Sequence, residues 1–123
     1  MSAATYNLFI DQGSDFAIDL VIKENGSTMD LTNYSGRGQL RSTHESTTIV
    51  GYFKVTKTNP TGGSLKVEIP NGNWTDSGGT VRQGSKDMAA GQYVYDLEIF
   101  TNADAVVKRI MQGTATINPE VTR

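Results

Sequence analysis

Apolar and polar side chains alternate in short runs along most of the chain, and turn residues separate the runs. In Thr5-Tyr6-Asn7-Leu8-Phe9-Ile10, Tyr6, Leu8 and Ile10 share one face of a strand and Phe9 falls on the other. After Gln12-Gly13-Ser14, residues Phe16, Ile18, Leu20 and Ile22 alternate with Ala17, Asp19, Val21 and Lys23. A helix would place Asp19 and Lys23 beside the apolar stripe, so a strand is predicted. Asn25-Gly26 then supplies the positive φ angles of a tight reversal. Residues 48–55 read as a further strand, with Ile49, Gly51, Phe53 and Val55 on one side and Val50, Tyr52 and Lys54 on the other. Asn59-Pro60-Thr61-Gly62-Gly63 is turn chemistry, followed by the alternation Leu65, Val67, Ile69. Tyr93, Tyr95, Leu97 and Ile99 alternate with Val94, Asp96, Glu98 and Phe100, and residues 102–104 reverse the chain into a last β-rich stretch.

Two places interrupt this rhythm. In Ser35-Gly36-Arg37-Gly38-Gln39-Leu40-Arg41 two glycines share a face, which predicts a bulge or the close approach of another backbone or a large side chain. Residues 70–91 show no sustained period, apart from one expected helical turn at Asp87-Met88-Ala89-Ala90 ended by Gly91. A structureless loop of that length is uncommon inside a domain and is often either functional or mobile. No linker or repeat divides the chain. The reading is all-β: a single antiparallel β-sandwich domain over residues 1–123, with about seven to eight strands.

Composition narrows the chemistry. The chain has 123 residues, 37% hydrophobic and 20% charged, no Cys, and a formal net charge of -2. Thiol catalysis, Cys-ligated zinc, iron–sulfur clusters and disulfide scaffolds are excluded. No run approaches the roughly 20 apolar residues of a membrane span, and no signal peptide is expected at the N-terminus. The lone His44 lies in a polar stretch without a Gly-x-Ser-x-Gly elbow, so it reads as an exposed loop residue. Asp11 and Asp15 lack the repeated oxygen ligands of a calcium loop. In Gly79-Thr80-Val81-Arg82-Gln83-Gly84-Ser85-Lys86 the Ser precedes the Lys, the wrong order for a phosphate loop. Arg37, Arg41, Lys54, Lys57, Arg82 and Lys86 read as dispersed surface charge, so no nucleic-acid partner is expected. Neither are catalytic residues, a metal or a cofactor. Trp74 stands apart: a large aromatic among Gly, Asn and Ser either folds back on the core or is offered to a partner. Phe9, Val50, Tyr52 and Phe100 raise the same question on the minority faces of their strands.

Several stretches, taken in order, resemble a family of small bacteriophage virion proteins and the N-terminal domains of phage baseplate upper proteins. They are Tyr6-Asn7-Leu8-Phe9-Ile10-Asp11-Gln12-Gly13-Ser14-Asp15-Phe16, Asp30-Leu31-Thr32-Asn33-Tyr34-Ser35-Gly36-Arg37-Gly38-Gln39-Leu40-Arg41 and Ala90-Gly91-Gln92-Tyr93-Val94-Tyr95-Asp96-Leu97-Glu98-Ile99. Arg109-Ile110-Met111-Gln112-Gly113-Thr114-Ala115-Thr116-Ile117 and Pro119-Glu120-Val121-Thr122-Arg123 complete the set. The resemblance implies an immunoglobulin-like sandwich made in the host cytoplasm and carried in a virion, acting in assembly or attachment and not as an enzyme. It implies other virion proteins as partners, in multiple copies of a symmetric assembly, at the tail or baseplate or as a tail-fibre adaptor. Capsid decoration is the alternative. Residues 70–90 depart from the family pattern, and no fibre or coiled coil is expected to follow the terminal motif. Phe9, Tyr52, Trp74 and Phe100, with the chain ends, are the expected partner-binding residues. A carbohydrate-binding module, with Trp74 and Tyr52 as a stacking platform, is the rival from another class.

Overall fold

In the computed structural model of the protein, residues 3–121 are described, and the Thr122-Arg123 end of the terminal motif lies outside them. Among these residues there is no α-helix, and no helix is long and apolar enough to cross a membrane. The strands are β1 (Ala4–Thr5), β2 (Leu8–Asp11), β3 (Phe16–Val21), β4 (Lys23–Glu24), β5 (Ser27–Thr28), β6 (Ser35–Arg41) and β7 (Ile49–Tyr52). They continue with β8 (Lys54–Asn59), β9 (Ser64–Ile69), β10 (Trp74–Thr75), β11 (Val81–Arg82), β12 (Gly91–Phe100) and β13 (Val107–Asn118). The larger sheet runs β1-β13-β12-β6-β7, with β2 also on β13, and the smaller runs β3-β9-β8. Two hairpins, β4–β5 and β10–β11, stand outside both sheets.

Alternation explains which faces meet. Leu8, Ile10, Leu40, Tyr95, Leu97, Ile99, Met111, Ala115 and Ile117 of the larger sheet share one hydrophobic cluster with Leu65, Val67 and Ile69 of the smaller. Phe16, Ile18 and Leu20 of β3 pack against it, while Ala17, Asp19 and Val21 face out. Each buried Leu or Ile side chain contributes about 1.5–3 kcal/mol relative to its exposed state. The turn residues do what their chemistry dictates. Asn25 and Gly26 take φ of 54° and 80° at the β4–β5 reversal, and Asn59 Oδ1 accepts from Gly62 N at 3.4 Å to cap the single 3₁₀ turn there.

The structure corrects four expectations. The larger sheet is mixed, not antiparallel, because β1 and β2 both run parallel to β13. After Gln12-Gly13-Ser14 the chain enters β3 in the smaller sheet, and β2 takes β13 as its neighbour. Tyr6 does not share the buried face of Leu8 and Ile10: the ladder is interrupted between β1 and β2, and Tyr6 is 58% exposed. Residues 48–55 are not one strand. The chain changes sheets at Phe53, whose N–H donates to the Gly38 carbonyl (3.0 Å), so β7 belongs to the larger sheet and β8 to the smaller.

Residues 70–91 form the fourth correction. The expected helical turn at 87–90 is a 3₁₀ turn at Ser85–Asp87, and Gly91 opens β12. Point contacts replace periodicity in this segment. Ser85 is fully buried, its Oγ donates to the Ser14 carbonyl (2.6 Å), and its N–H donates to the Pro70 carbonyl (2.8 Å). Asn71 N donates to Asp15 Oδ1 (2.8 Å) and Gln12 Nε2 to the Met88 carbonyl (2.8 Å), while the Met88 side chain enters the core. The hydroxyl of Ser85 is a buried group with a partner, so it specifies the path at little cost.

Candidate functional site

The β10–β11 hairpin faces the corner where β7 gives way to β8, and a groove of about 360 Å³ lies between them. One wall is the β6 segment from Gly36 to Gln39, another is the run from Tyr52 to Thr56, and the hairpin supplies Trp74, Asp76 and Arg82. Phe100, the last residue of β12, completes the lining. The two glycines of β6 make the corner possible. A Cβ on Gly38 would lie 2.7 Å from Leu97 Cδ1, 2.8 Å from Phe53 Cδ2 and 2.9 Å from the Asp96 carbonyl oxygen, and a Cβ on Gly36 would collide with Val55. The expected close approach of large side chains is therefore present on both.

Guanidinium groups cap two of the aromatic rings. Arg82 lies over Tyr52 with 3.7 Å from its central carbon to the ring centroid, and Arg37 lies over Phe100 at 4.2 Å. Carboxylates hold each guanidinium by its edge. Arg82 Nε donates to Asp76 Oδ2 (3.0 Å), while Arg37 Nε donates to Glu98 Oε1 (2.5 Å) and its Nη1 to Asp104 (3.3 Å). The Asp76 carboxyl is held below the ordinary range, chiefly by the Thr80 backbone N–H and further by Arg82 and the Gly78 N–H. The Glu98 hydrogen bond is the main cause that raises the Arg37 guanidinium. Such cation–π contacts are worth about 0.5–1 kcal/mol at exposed sites. Trp74 is half-buried, and its Nε1 is buried without an acceptor among the described residues.

Three of the four expected partner residues, Tyr52, Trp74 and Phe100, thus line one groove. Phe9 does not. It is 69% exposed on β2, at the opposite side of the larger sheet from β6 and β7. Sequence reading missed Arg37 and Arg82 as partners of the aromatics. The register carries a signal for the first, since Arg37 stands opposite Glu98 and Phe100 follows two residues later on the same face. Nothing local announces the second, because the stacking depends on how the hairpin docks. His44 is exposed and borders a separate polar hollow of about 450 Å³ on the outer face of β6, β12 and β13, with Arg41, Asp96 and Arg109.

No protein-family model matches the chain, and no curated protein matches it. Among solved structures, a family 123 glycoside hydrolase from Clostridium perfringens, studied for glycolipid glycan hydrolysis, aligns with a TM-score of 0.40 at 12% identity. That alignment covers 100% of this chain and 24% of the hydrolase, so the chain spans about a quarter of its neighbour's length. A likeness this loose carries no argument about fold family or activity.

Proposed function

We propose that the chain is a non-enzymatic bacteriophage virion structural protein, an immunoglobulin-like β-sandwich at the tail or baseplate that works through protein–protein contacts. The virion assignment rests on the ordered sequence stretches from Tyr6 to Arg123 that resemble small virion proteins, with capsid decoration as the alternative position. The contact mechanism rests on one observation: Tyr52, Trp74, Phe100, Arg37 and Arg82 gather in a single groove. Trp, Tyr and Arg are the residue types that dominate protein interfaces, and a pocketed cluster of them is how hot spots are built. The partners are other virion proteins in a symmetric array.

A carbohydrate platform is the weaker reading for this groove, because Arg82 already occupies a face of the Tyr52 ring that a sugar would need. Immunogold labelling of intact particles tests the proposal. Gold at the tail end supports it, gold over the head moves the protein to capsid decoration, and particles without label overturn it. A glycan array with the Trp74→Ala variant as control tests the carbohydrate reading.

A further inference from the structure

The groove has an unused strand edge. β6 pairs with β12 along its whole length, yet its pairs with β7 end at Gln39↔Tyr52, and Gly38 is tied to Phe53. Residues 35–37 therefore carry no strand partner on the groove side among the described residues, since β8 has left for the other sheet. Across the groove, β10 pairs with β11 and contributes Trp74 and Thr75 to the lining. An open strand edge beside a groove matches the way extended peptides are recognised, with backbone hydrogen bonds giving affinity and side-chain contacts giving selectivity.

The charge of the walls selects the peptide. Of the three cations that line the groove, Arg37 is held by Glu98 and Asp104 and Arg82 by Asp76, so Lys54 supplies the positive charge that a ligand can meet. Lys54 makes no ion pair among the described residues. We propose that this groove takes an extended acidic peptide segment of a neighbouring protein, added as a strand along residues 35–37 of β6. The proposal rests on the reading of the groove as a protein contact and names its partner's chemistry. Single-stranded nucleic acid is also anionic, but base stacking needs free aromatic faces, and those of Tyr52 and Phe100 carry guanidinium groups.

Trp74 is the protein's one tryptophan, so its emission reports on this groove alone. The test titrates the full chain with an acetylated, amidated Thr-Glu alternating octapeptide. The alternating Thr-Lys peptide, an oligothymidylate, and a Thr-Glu peptide N-methylated at every second residue serve as comparisons. The expected result is a saturable change with the Thr-Glu peptide that weakens with salt. It is expected to be about tenfold weaker after Lys54→Glu and with the N-methylated peptide, a difference near 1.4 kcal/mol. Equal response to the Thr-Lys or N-methylated peptide, a response to oligothymidylate instead, or no response up to millimolar peptide overturns the proposal. The variant's circular dichroism confirms that it folds. Particles without gold label would remove the virion assignment and leave this titration standing, while a failed titration leaves the labelling result as it is.

Discussion

The two sides of the larger sheet carry the same sequence cue and differ in outcome. At the β2 side, Phe9 sits on the minority face of its strand and stays bare. At the β6 side, Tyr52 and Phe100 occupy the same kind of position, and each is capped by a guanidinium that a carboxylate holds in place. An outward aromatic is thus an isolated surface residue in one place and part of a built cluster in the other. The arginines make the difference, together with the glycines that let the corner close.

That contrast can be broken most severely at Gly38. Gly38→Ala places a methyl against the Leu97 and Phe53 side chains and against the Asp96 carbonyl, which belongs to the sheet backbone and cannot step aside. A loss of about 1–3 kcal/mol in urea unfolding is expected. Arg37→Ala removes the contact with Phe100 and both ion pairs, but the side chain is 41% exposed and solvent screens the charges. A loss of about 1 kcal/mol is expected in the same experiment.

Acidification acts on the hairpin through Asp76, as it acts elsewhere on the lowered carboxyls of Glu24 and Asp30, and produces a smaller, local change in the hairpin. Because the Asp76 carboxyl titrates lower in the folded hairpin than its ordinary value of 3.8, it stabilises the hairpin above that pH. The stabilisation is lost as pH falls from about 4 through the lowered value, and Trp74 emission should shift to the red there while core circular dichroism persists. Emission that moves only with global unfolding would contradict this. Phe9→Ser, on the bare side, is expected to change stability by less than about 0.5 kcal/mol, and a larger loss would mean that Phe9 is packed.

Much of the fold was legible because its pattern is local. The alternations at Phe16 to Ile22, Leu65 to Ile69 and Tyr93 to Ile99 each place a face in the core without reference to the rest of the chain. The sheet change at Phe53 was not legible, since the apolar period runs through it unbroken and a bond to distant Gly38 decides it. Residues 70–91 hid their order because Ser14, Asp15 and Gln12 fix them one contact at a time. For the site, the aromatic members could be singled out by type, but their convergence and the arginine caps arise from docking between segments far apart in sequence.

The sheet change at Phe53 also has a mechanical consequence. One continuous stretch of chain is woven into both layers, so the layers cannot slide past each other without tearing β7 or β8 from its neighbour. The two sheets are thereby riveted at this corner, and a pulling force applied to one of them passes to the other through covalent chain. The short β10–β11 ladder is hydrogen-bonded as a strand pair to neither sheet, so it has no part in that coupling.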